Sequence, residues 1–386
     1  MEGGVGAFTR ELARAINAAG NEVHIITSRH ARPPERPRTL TGVNDPDELD
    51  FAMLHARIGR WRWPSLATIV DITLRQELDL VNIQYQPAAY NMNSPAINFL
   101  PWRLKHLTSV VVTYHDLRVP YLFPKAGSLR ARAVQFMAKQ ASGVIATNSE
   151  DNGRLQAITG QPTAVIPIGS NIQPYEPNHL EVAEVRTDLG LDANDVLLGY
   201  FGFLNESKGA DTLLQALAEM DGRYHLVFIG GQTGASDATN RAFLNQIKTL
   251  VSELGLDGRV HWTGFLSDTR VAAHLAASDI MVLPYKDGVS LRRGTLMAAL
   301  AQGRPVITTA PRQPDPALAD EKAIVLVPAE DAAALADTIR RVSADPALQQ
   351  ALGNNARALA QSFTWEHIAA RTIDFYQLVS TTEKTL

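Results

Sequence analysis

Val196-Leu197-Leu198-Gly199-Tyr200-Phe201-Gly202-Phe203-Leu204-Asn205-Glu206-Ser207-Lys208-Gly209 is the stretch that decides the fold. Its first six residues form an unbroken, mostly apolar run, as a strand buried on both faces requires. Gly202 through Gly209 reads as a loop carrying one lysine, and a helix is expected from about Ala210. Strand, glycine turn and helix are the opening of a βαβ unit, whose helix N-terminus attracts anions. A lysine beside that positive end is electrostatically misplaced unless an anion sits there too. A bound diphosphate would account for Lys208, and so would an exposed loop position. The segment is not a P-loop, because no Gly-Lys-Ser/Thr ending follows.

The same alternation extends in both directions. Downstream, strands are expected at Tyr224–Ile229, Arg259–Trp262, Ile280–Leu283, Pro305–Thr308 and Ala323–Val327. Upstream they are expected at Glu22–Thr27, Leu80–Tyr85, Ser109–Tyr114, Gly143–Thr147 and Thr163–Ile166. Helical stretches separate them, which predicts parallel sheets covered on both faces. The helix Ala7–Ala19 puts Phe8, Leu12, Ile16 and Ala19 on one face, and Gly20 stops it. Ser149 reads as the N-cap of a helix from Glu150. Three helices, near Asp331–Ser343, Pro346–Gln361 and Trp365–Val379, close the sequence. The division follows as an N-terminal Rossmann-like domain over 1–170, a linker over 171–194 with a Pro-Tyr-Glu-Pro stretch, a second Rossmann-like domain over 195–364, and a last helix over 365–386. Gly3-Gly4-Val5-Gly6 looks like the glycine turn after a first strand, yet no strand precedes it, so the usual central strand is apparently missing.

Four stretches carry candidate chemistry. Gly3 and Gly4 could let backbone N–H groups approach an anion, or could simply make a tight turn. The Lys208 loop, with Gly202 at its start, is the second. The third is Pro284-Tyr285-Lys286-Asp287-Gly288-Val289-Ser290-Leu291-Arg292-Arg293-Gly294-Thr295, which follows an apolar strand and opens a helix from Thr295. Arg292 and Arg293 could grip phosphate oxygens bidentately while Gly294 keeps the backbone accessible, or could be a solvated basic turn. The fourth is Thr113-Tyr114-His115-Asp116, which sets His115 at the carboxyl edge of the sheet, where open α/β proteins bind ligands. Asp45-Pro46-Asp47 resembles a metal-binding carboxylate pair but lies in a polar run, and reads as surface acid. No other spacing of His, Asp and Glu suggests a metal. Gly59-Arg60-Trp61-Arg62-Trp63-Pro64 interleaves arginine with tryptophan, which suits a lipid headgroup layer, an acceptor-loop edge or a packed core flank.

The bulk numbers narrow the classes. At 386 residues the sequence is long for one core, and 45% hydrophobic with 20% charged content is that of a globular protein. Absence of cysteine removes disulfides, zinc-thiolate sites and cysteine catalysis. A net charge of −4 argues against bulk nucleic-acid binding. Residues 1–170 carry 18 Lys/Arg against 14 Asp/Glu, about +4, so this half is the one suited to an anionic surface. Neither a signal peptide nor an apolar run of about 18 residues is visible, and a cytoplasmic location is expected.

Taken in order, these stretches resemble the retaining glycosyltransferases of the GT-B fold, family 4, over nearly the whole chain. Leu80–Pro87, Val111–Asp116, Thr147–Arg154 and Val165–Ile172 resemble that family's N-domain strand ends and the passage to its second domain. Gly199–Gly209 resembles its diphosphate loop, and Val260–Pro284 its path into the donor site. The resemblance implies an α/β, GT-B architecture: two Rossmann-like domains facing a central cleft, with the C-terminal helix crossing back to the first. It also implies a nucleotide-sugar donor and a sugar, polysaccharide or lipid-linked acceptor. No cofactor, metal or nucleic acid is implied, and a peripheral membrane contact through the N-terminal domain is allowed.

Departures from the family pattern matter. Phe203 stands where the family has arginine, so only Lys208 carries over. Two glutamates spaced by eight positions are absent. Counting back from Arg304-Pro305, they fall on Ala298 and Ser290; counting forward from Pro284, the first falls near Asp287 or Gly288. The disagreement implies a short insertion holding Arg292 and Arg293, which are expected to replace the missing arginine. Lys208, Arg292 and Arg293 would then stabilise the leaving diphosphate, and His115 would orient the donor sugar. Gly202, Asp287, Ser290, Gly294 and Thr295 complete the expected donor site, with Gly3 and Gly4 lining it from the other domain. A non-catalytic nucleotide-sugar-binding protein, or an epimerase of the same fold, is the competing reading.

Overall fold

The computed structural model describes residues 4–31, 46–90, 94–117, 127–170, 179–231, 238–291, 293–312 and 314–383. The chain divides into two compact units, Met1–Gly169 with Trp365–Leu386, and Ser170–Thr364.

The first unit opens on helix α1 (Gly4–Ala18), followed by β1 (His24–Ser28), β2 (Asp47–Leu49), β3 (Ala52–Ile58), α2 (Trp63–Arg75) and β4 (Leu80–Tyr85). Next come α3 (Leu100–Leu104), β5 (Ser109–Tyr114), α4 (Gly127–Gln140), β6 (Gly143–Ala146), α5 (Ser149–Gln156) and β7 (Thr163–Val165). Among the described residues its strands form two sheets. One runs β1-β3-β2, parallel between β1 and β3 and antiparallel between β2 and β3. The other runs β4-β5-β6-β7, all parallel. All six residues of β5 (Ser-Val-Val-Val-Thr-Tyr) are buried, as expected of a strand with neighbours on both sides and layers on both faces.

The second unit contains α6 (His179–Asp188), β8 (Val196–Phe201), α7 (Ala210–Ala218), β9 (Tyr224–Ile229), α8 (Ala238–Glu253) and β10 (Val260–Trp262). It continues with α9 (Asp268–Ala277), β11 (Ile280–Leu283), α10 (Gly294–Ala301), β12 (Val306–Thr309), β13 (Val325–Val327), α11 (Ala332–Ser343) and α12 (Pro346–Ala360). Here one six-stranded parallel sheet runs β10-β9-β8-β11-β12-β13, with β8 inside it. Leu213, Leu214 and Leu217 of α7 bury their side chains in the same core as Leu198, Leu226 and Val282 of the sheet. Each fully buried leucine contributes roughly 1.5–3 kcal/mol of transfer free energy.

Helix α13 (Trp365–Glu383) returns to the first unit. Trp365 meets Phe8 of α1 edge-on at 5.2 Å. Arg371 donates to the carbonyl of Val165, and Asn82 of β4 donates to the Tyr376 hydroxyl. A Cβ on Gly143 would stand 2.6 Å from Cγ1 of Val379, so only glycine lets the helix approach β6 this closely.

Several elements differ from the sequence expectation. Helix α1 starts at Gly4, so Gly4 and Gly6 are helical and do not form a turn before it; Gly3 lies outside the described residues. The N-cap before Glu150 is Asn148, whose side chain accepts the Asp151 amide at 2.9 Å, and Ser149 is already helical. The stretch read as a linker holds α6, and Arg186 of that helix ties it to the second unit through Asp279 at 3.0 Å and the Asp195 carbonyl at 2.6 Å. Strands β2 and β3 were not anticipated. Asp47, read as surface acid, is a buried residue of β2; Asp45 is outside the described residues.

Candidate functional site

The Lys208 loop and the turn before α10 come together at the carboxyl end of the second unit's sheet. The Lys286 amide donates to the Ser207 carbonyl at 2.9 Å, and Lys286 Nζ reaches Asp211 Oδ2 at 2.7 Å. Glycine makes the joint possible at three positions. Gly209 has φ +70°, and a Cβ there would sit 2.0 Å from the Pro284 carbonyl oxygen. Gly202 has φ +110°, and its Cβ would lie 2.7 Å from Thr295 Cγ2 and 3.2 Å from Lys208 Nζ. Gly288, at φ +82°, packs directly under the Ala310 carbonyl. These are left-handed conformations that other residues adopt only under strain.

Lys208 ends a short 3-10 turn and folds its ammonium back to the Phe203 carbonyl at 2.7 Å. No carboxylate among the described residues pairs with it. Loss of solvent, and then the nearby positive charge of Arg293, pull its pKa down to about 8. Arg293 places its guanidinium carbon over the ring of buried Tyr285, 3.9 Å from the centroid, and pairs with Asp287. Its Nε is buried without a partner. Tyr285 in turn bonds Thr295 Oγ1 at 2.8 Å, and burial raises its pKa to about 12, so it remains a neutral phenol. The hydroxyl of Tyr200 is also buried and unpartnered. Lys208 and Arg293, near enough for their charges to repel, flank the start of α10, an arrangement suited to an anion.

Of the residues singled out from sequence, Gly202, Lys208, Asp287, Ser290, Arg293, Gly294 and Thr295 all belong to this pair of loops. Helix α10 begins at Gly294, one residue earlier than expected, with Arg293 in extended backbone just before it. Arg292 lies outside the described residues. The pairing of Arg293 with Asp287 differs from the expected free phosphate ligand: this arginine is already half neutralised. Ala298, where a family glutamate would fall, is buried in α10. Sequence reading missed Tyr285 as the support beneath Arg293, and Asp211 with Lys286 as the tie between the loops. Their only sequence signal was charge or aromaticity within the loop motifs.

In the first unit His115 follows β5, its amide donating to the Tyr85 carbonyl at 2.9 Å. Its Nε2 lies 2.9 Å from Gln84 Oε1, and Phe8 stands edge-on at 4.6 Å. Burial lowers its pKa to about 4, so the ring is neutral at ordinary pH. With Nε2–H donating to Gln84, Nδ1 keeps its lone pair. Among the described residues no cluster of three His, Asp or Glu could hold a metal, and no helix is long and apolar enough to cross a membrane.

Known proteins resemble both halves of the chain. Residues 181–359 match the model "Glycosyl transferases group 1", and residues 3–169 match "Glycosyl transferase 4-like domain". A D-inositol 3-phosphate glycosyltransferase of Xylanimonas cellulosilytica is 29% identical over 234 residues, 59% of this chain and 54% of that protein. The chain thus spans about half the length of the curated relatives it matches. Sucrose-phosphate synthase from Thermosynechococcus elongatus superposes over 98% of this chain and 94% of its own, with TM-score 0.76 and 25% identity. HepE of Anabaena, solved with UDP and glucose, superposes over 81% of each chain with TM-score 0.66 and 21% identity. With family models matched on both halves and a GT-B neighbour over nearly its full length, the chain belongs to the group 1 glycosyltransferases of the GT-B fold.

Proposed function

We propose that this protein transfers a sugar from a nucleoside-diphosphate sugar to a hydroxyl acceptor, with retention of anomeric configuration and without a metal. The observation that carries the reading is Lys208, desolvated, unpaired with any described carboxylate and set beside Arg293. An anion relieves the repulsion between these two cations, and the diphosphate of a donor is such an anion. Negative charge grows on that diphosphate as the sugar leaves, so Lys208, Arg293, Thr295 and the N–H groups at the start of α10 stabilise the transition state more than the ground state. Arg292 is assigned to the same diphosphate. The described carboxylates at the site, Asp287 and Asp211, pair with Arg293 and Lys286, which suits a departing phosphate that takes the acceptor's proton on the face it leaves. His115, neutral and oriented by Gln84, is assigned a hydrogen bond to the transferred sugar.

UDP is the favoured nucleotide because the HepE structure holds UDP and glucose. A phosphorylated polyol or sugar is the favoured acceptor, given the relatives named for D-inositol 3-phosphate. The reaction is assigned to the cytoplasm. A lipid-linked acceptor would bring the first unit against a membrane through half-exposed Trp63 and Trp102, flanked by exposed Arg60, Arg62, Arg103 and Lys105.

A panel of UDP, GDP and ADP sugars, titrated by calorimetry with magnesium and with chelator, tests the reading. One nucleotide class should bind equally well in both conditions, and Lys208→Ala should abolish the binding. NMR of the product should show the donor's anomeric configuration. Binding that survives Lys208→Ala moves the diphosphate elsewhere. Donor binding with no transfer to any phosphorylated acceptor favours the non-catalytic reading, which the buried Ala298 at a family glutamate position supports.

A further inference from the structure

Four histidines outside the proposed donor site meet in two pairs of the same build. In the first unit His24 opens β1 opposite Met53, and His55 lies two residues further along β3. In the second, His225 lies on β9 and His261 on β10, and the pairing of Leu226 with Val260 gives the same offset of two. The paired strands are parallel, so both side chains of a pair leave the sheet on one face. His24 Nδ1 stands 2.9 Å from His55 Nε2, and His225 Nδ1 stands 3.2 Å from His261 Nε2. Ring centroids are 5.2 and 5.4 Å apart, and the ring planes differ by 21° and 22°. These separations exceed the N···N distances by about two ring radii, so the rings meet end to end, nitrogen to nitrogen.

Such a contact holds one hydrogen between its two nitrogens. His24 turns Nε2 to the exposed Glu22 carboxylate at 3.0 Å, which sets the hydrogen on Nε2 and leaves Nδ1 a lone pair. His55 Nε2–H then donates to that lone pair. His55 Nδ1 is left bare, buried and without a partner among the described residues. A proton arriving there makes a cation whose new N–H finds no acceptor. Arg57, held by Asp71 of α2, adds its own positive charge nearby. Burial first, then His24 and Arg57, lower the His55 pKa to about 4. The second pair repeats the arrangement with a weaker bias. His225 Nε2 is 3.7 Å from Asp195 Oδ2. Burial lowers the pKa of both rings; Asp195 and Asp192 oppose this at His225, Arg259 and Arg186 add to it, and His225 adds to it at His261. A second proton on either pair would point two N–H groups at each other.

We infer that the two pairs are acid-sensitive seams: each ties neighbouring strands through one N–H···N bond between neutral rings, and acid parts β1 from β3 and β9 from β10 before it parts the other strands. An unfolded histidine takes up its proton near pH 6.5, above the value at which folded His55 does. The seam's contribution to stability is therefore complete above that pH and is lost as pH falls toward 4. The carboxylates beside His225 soften the response of the second seam, so β1–β3 is the more acid-sensitive of the two. Strands β8, β11 and β12 carry no histidine and serve as the internal reference.

The test uses the full chain with nitrogen-15-labelled histidine. At neutral pH, NMR should show coupling across the N···N contact in both pairs, with the hydrogen of each of the four rings on Nε2. Amides of residues 52–58, corrected for the intrinsic rate, should exchange roughly 10–100-fold faster at about pH 4.5 than at about pH 6.5. Those of 260–262 should quicken less, and those of β8 and β12 should not change. Replacing both histidines of a pair by glutamine, which keeps a donor and an acceptor but does not titrate, should remove that seam's acid response and spare the other's. Paired rings already cationic at pH 6.5, or no coupling across the contacts, overturn the proposal. So does equal acceleration in β8 and β12, or acceleration that survives in the glutamine variants, because carboxylates are then the acid-sensitive groups. If a glutamine variant fails to fold, the coupling and the exchange pattern of the unaltered chain decide by themselves.

Discussion

The two units solve one architectural problem to different degrees. In the second, six parallel strands form a continuous sheet, and the loop after its inner strand β8 carries Lys208 to the start of α7. In the first, the seven strands among the described residues fall into sheets of three and four, with a cavity beside them. The difference teaches where rigidity and charge reside. The continuous sheet presents two preset loops locked by Gly202, Gly209 and Gly288, and the proposed anion site is built on them. The interrupted sheet holds neutral His115 at the end of its best-buried strand, next to β4, whose other edge meets no strand among the described residues.

Four experiments break or sharpen that contrast. The largest effect is expected from Lys208→Ala, which should lower sugar transfer roughly 10²–10³-fold, about 2.7–4 kcal/mol of transition-state stabilisation, and leave the melting temperature nearly unchanged. Turnover within tenfold of wild type would remove the continuous sheet's claim to the site. Next comes Gly209→Ala. Its Cβ meets the Pro284 carbonyl at 2.0 Å in a left-handed backbone, so denaturant unfolding should show a loss of roughly 3 kcal/mol. Gly222→Ala, which adds a Cβ in open space, should be near neutral.

Third, hydrogen exchange should rank the units: amides of β8 and β9 are expected about 100-fold slower than those of β1 and β4 in the same chain. Equal rates would mean the gap costs the first unit nothing. Last is pH. The Lys208 pKa lies near 8, below the usual 10.5, so the ammonium is fully present only below that value. Donor affinity should be flat below pH 8 and fall, at most tenfold per unit, as pH rises through it. Lys208→Arg should abolish the fall; a fall that persists belongs to another group.

The sequence announced the second unit better than the first, for identifiable reasons. Strands with neighbours on both sides are mostly apolar runs, so Ser109–Tyr114, Val196–Phe201, Tyr224–Ile229 and Ile280–Leu283 could be placed to the residue; Leu80–Tyr85 was placed as well, although Asn82 and Gln84 interrupt it. Strand β3 was hidden because His55 and Arg57 interrupt its apolar run and a polar stretch precedes it. Helix α6 was taken for a linker because its sequence lacks a clear apolar face; Arg186, a polar group, anchors it. In the proposed site, residue types alone led to Lys208, Arg293 and Thr295, since a cation or hydroxyl at a strand-to-helix turn has few other uses. Pairings between distant positions were not legible. Arg293 on Asp287, Tyr285 on Thr295 and Lys286 on Asp211 depend on where two loops meet.

The return of α13 to the first unit has a bearing on the order of synthesis. The bond from Asn82 to Tyr376 spans 294 positions, and the pocket for Trp365 is made by Phe8 at the opposite end of the chain. A growing polypeptide has the whole of Ser170–Thr364 available before the helix that covers Val111, Ile145 and Ile166 has been translated. The second unit can therefore fold on the ribosome while the first waits with one apolar face open. A release signal placed before Trp365 should yield a chain whose later-made half is native and whose earlier-made half recruits chaperones.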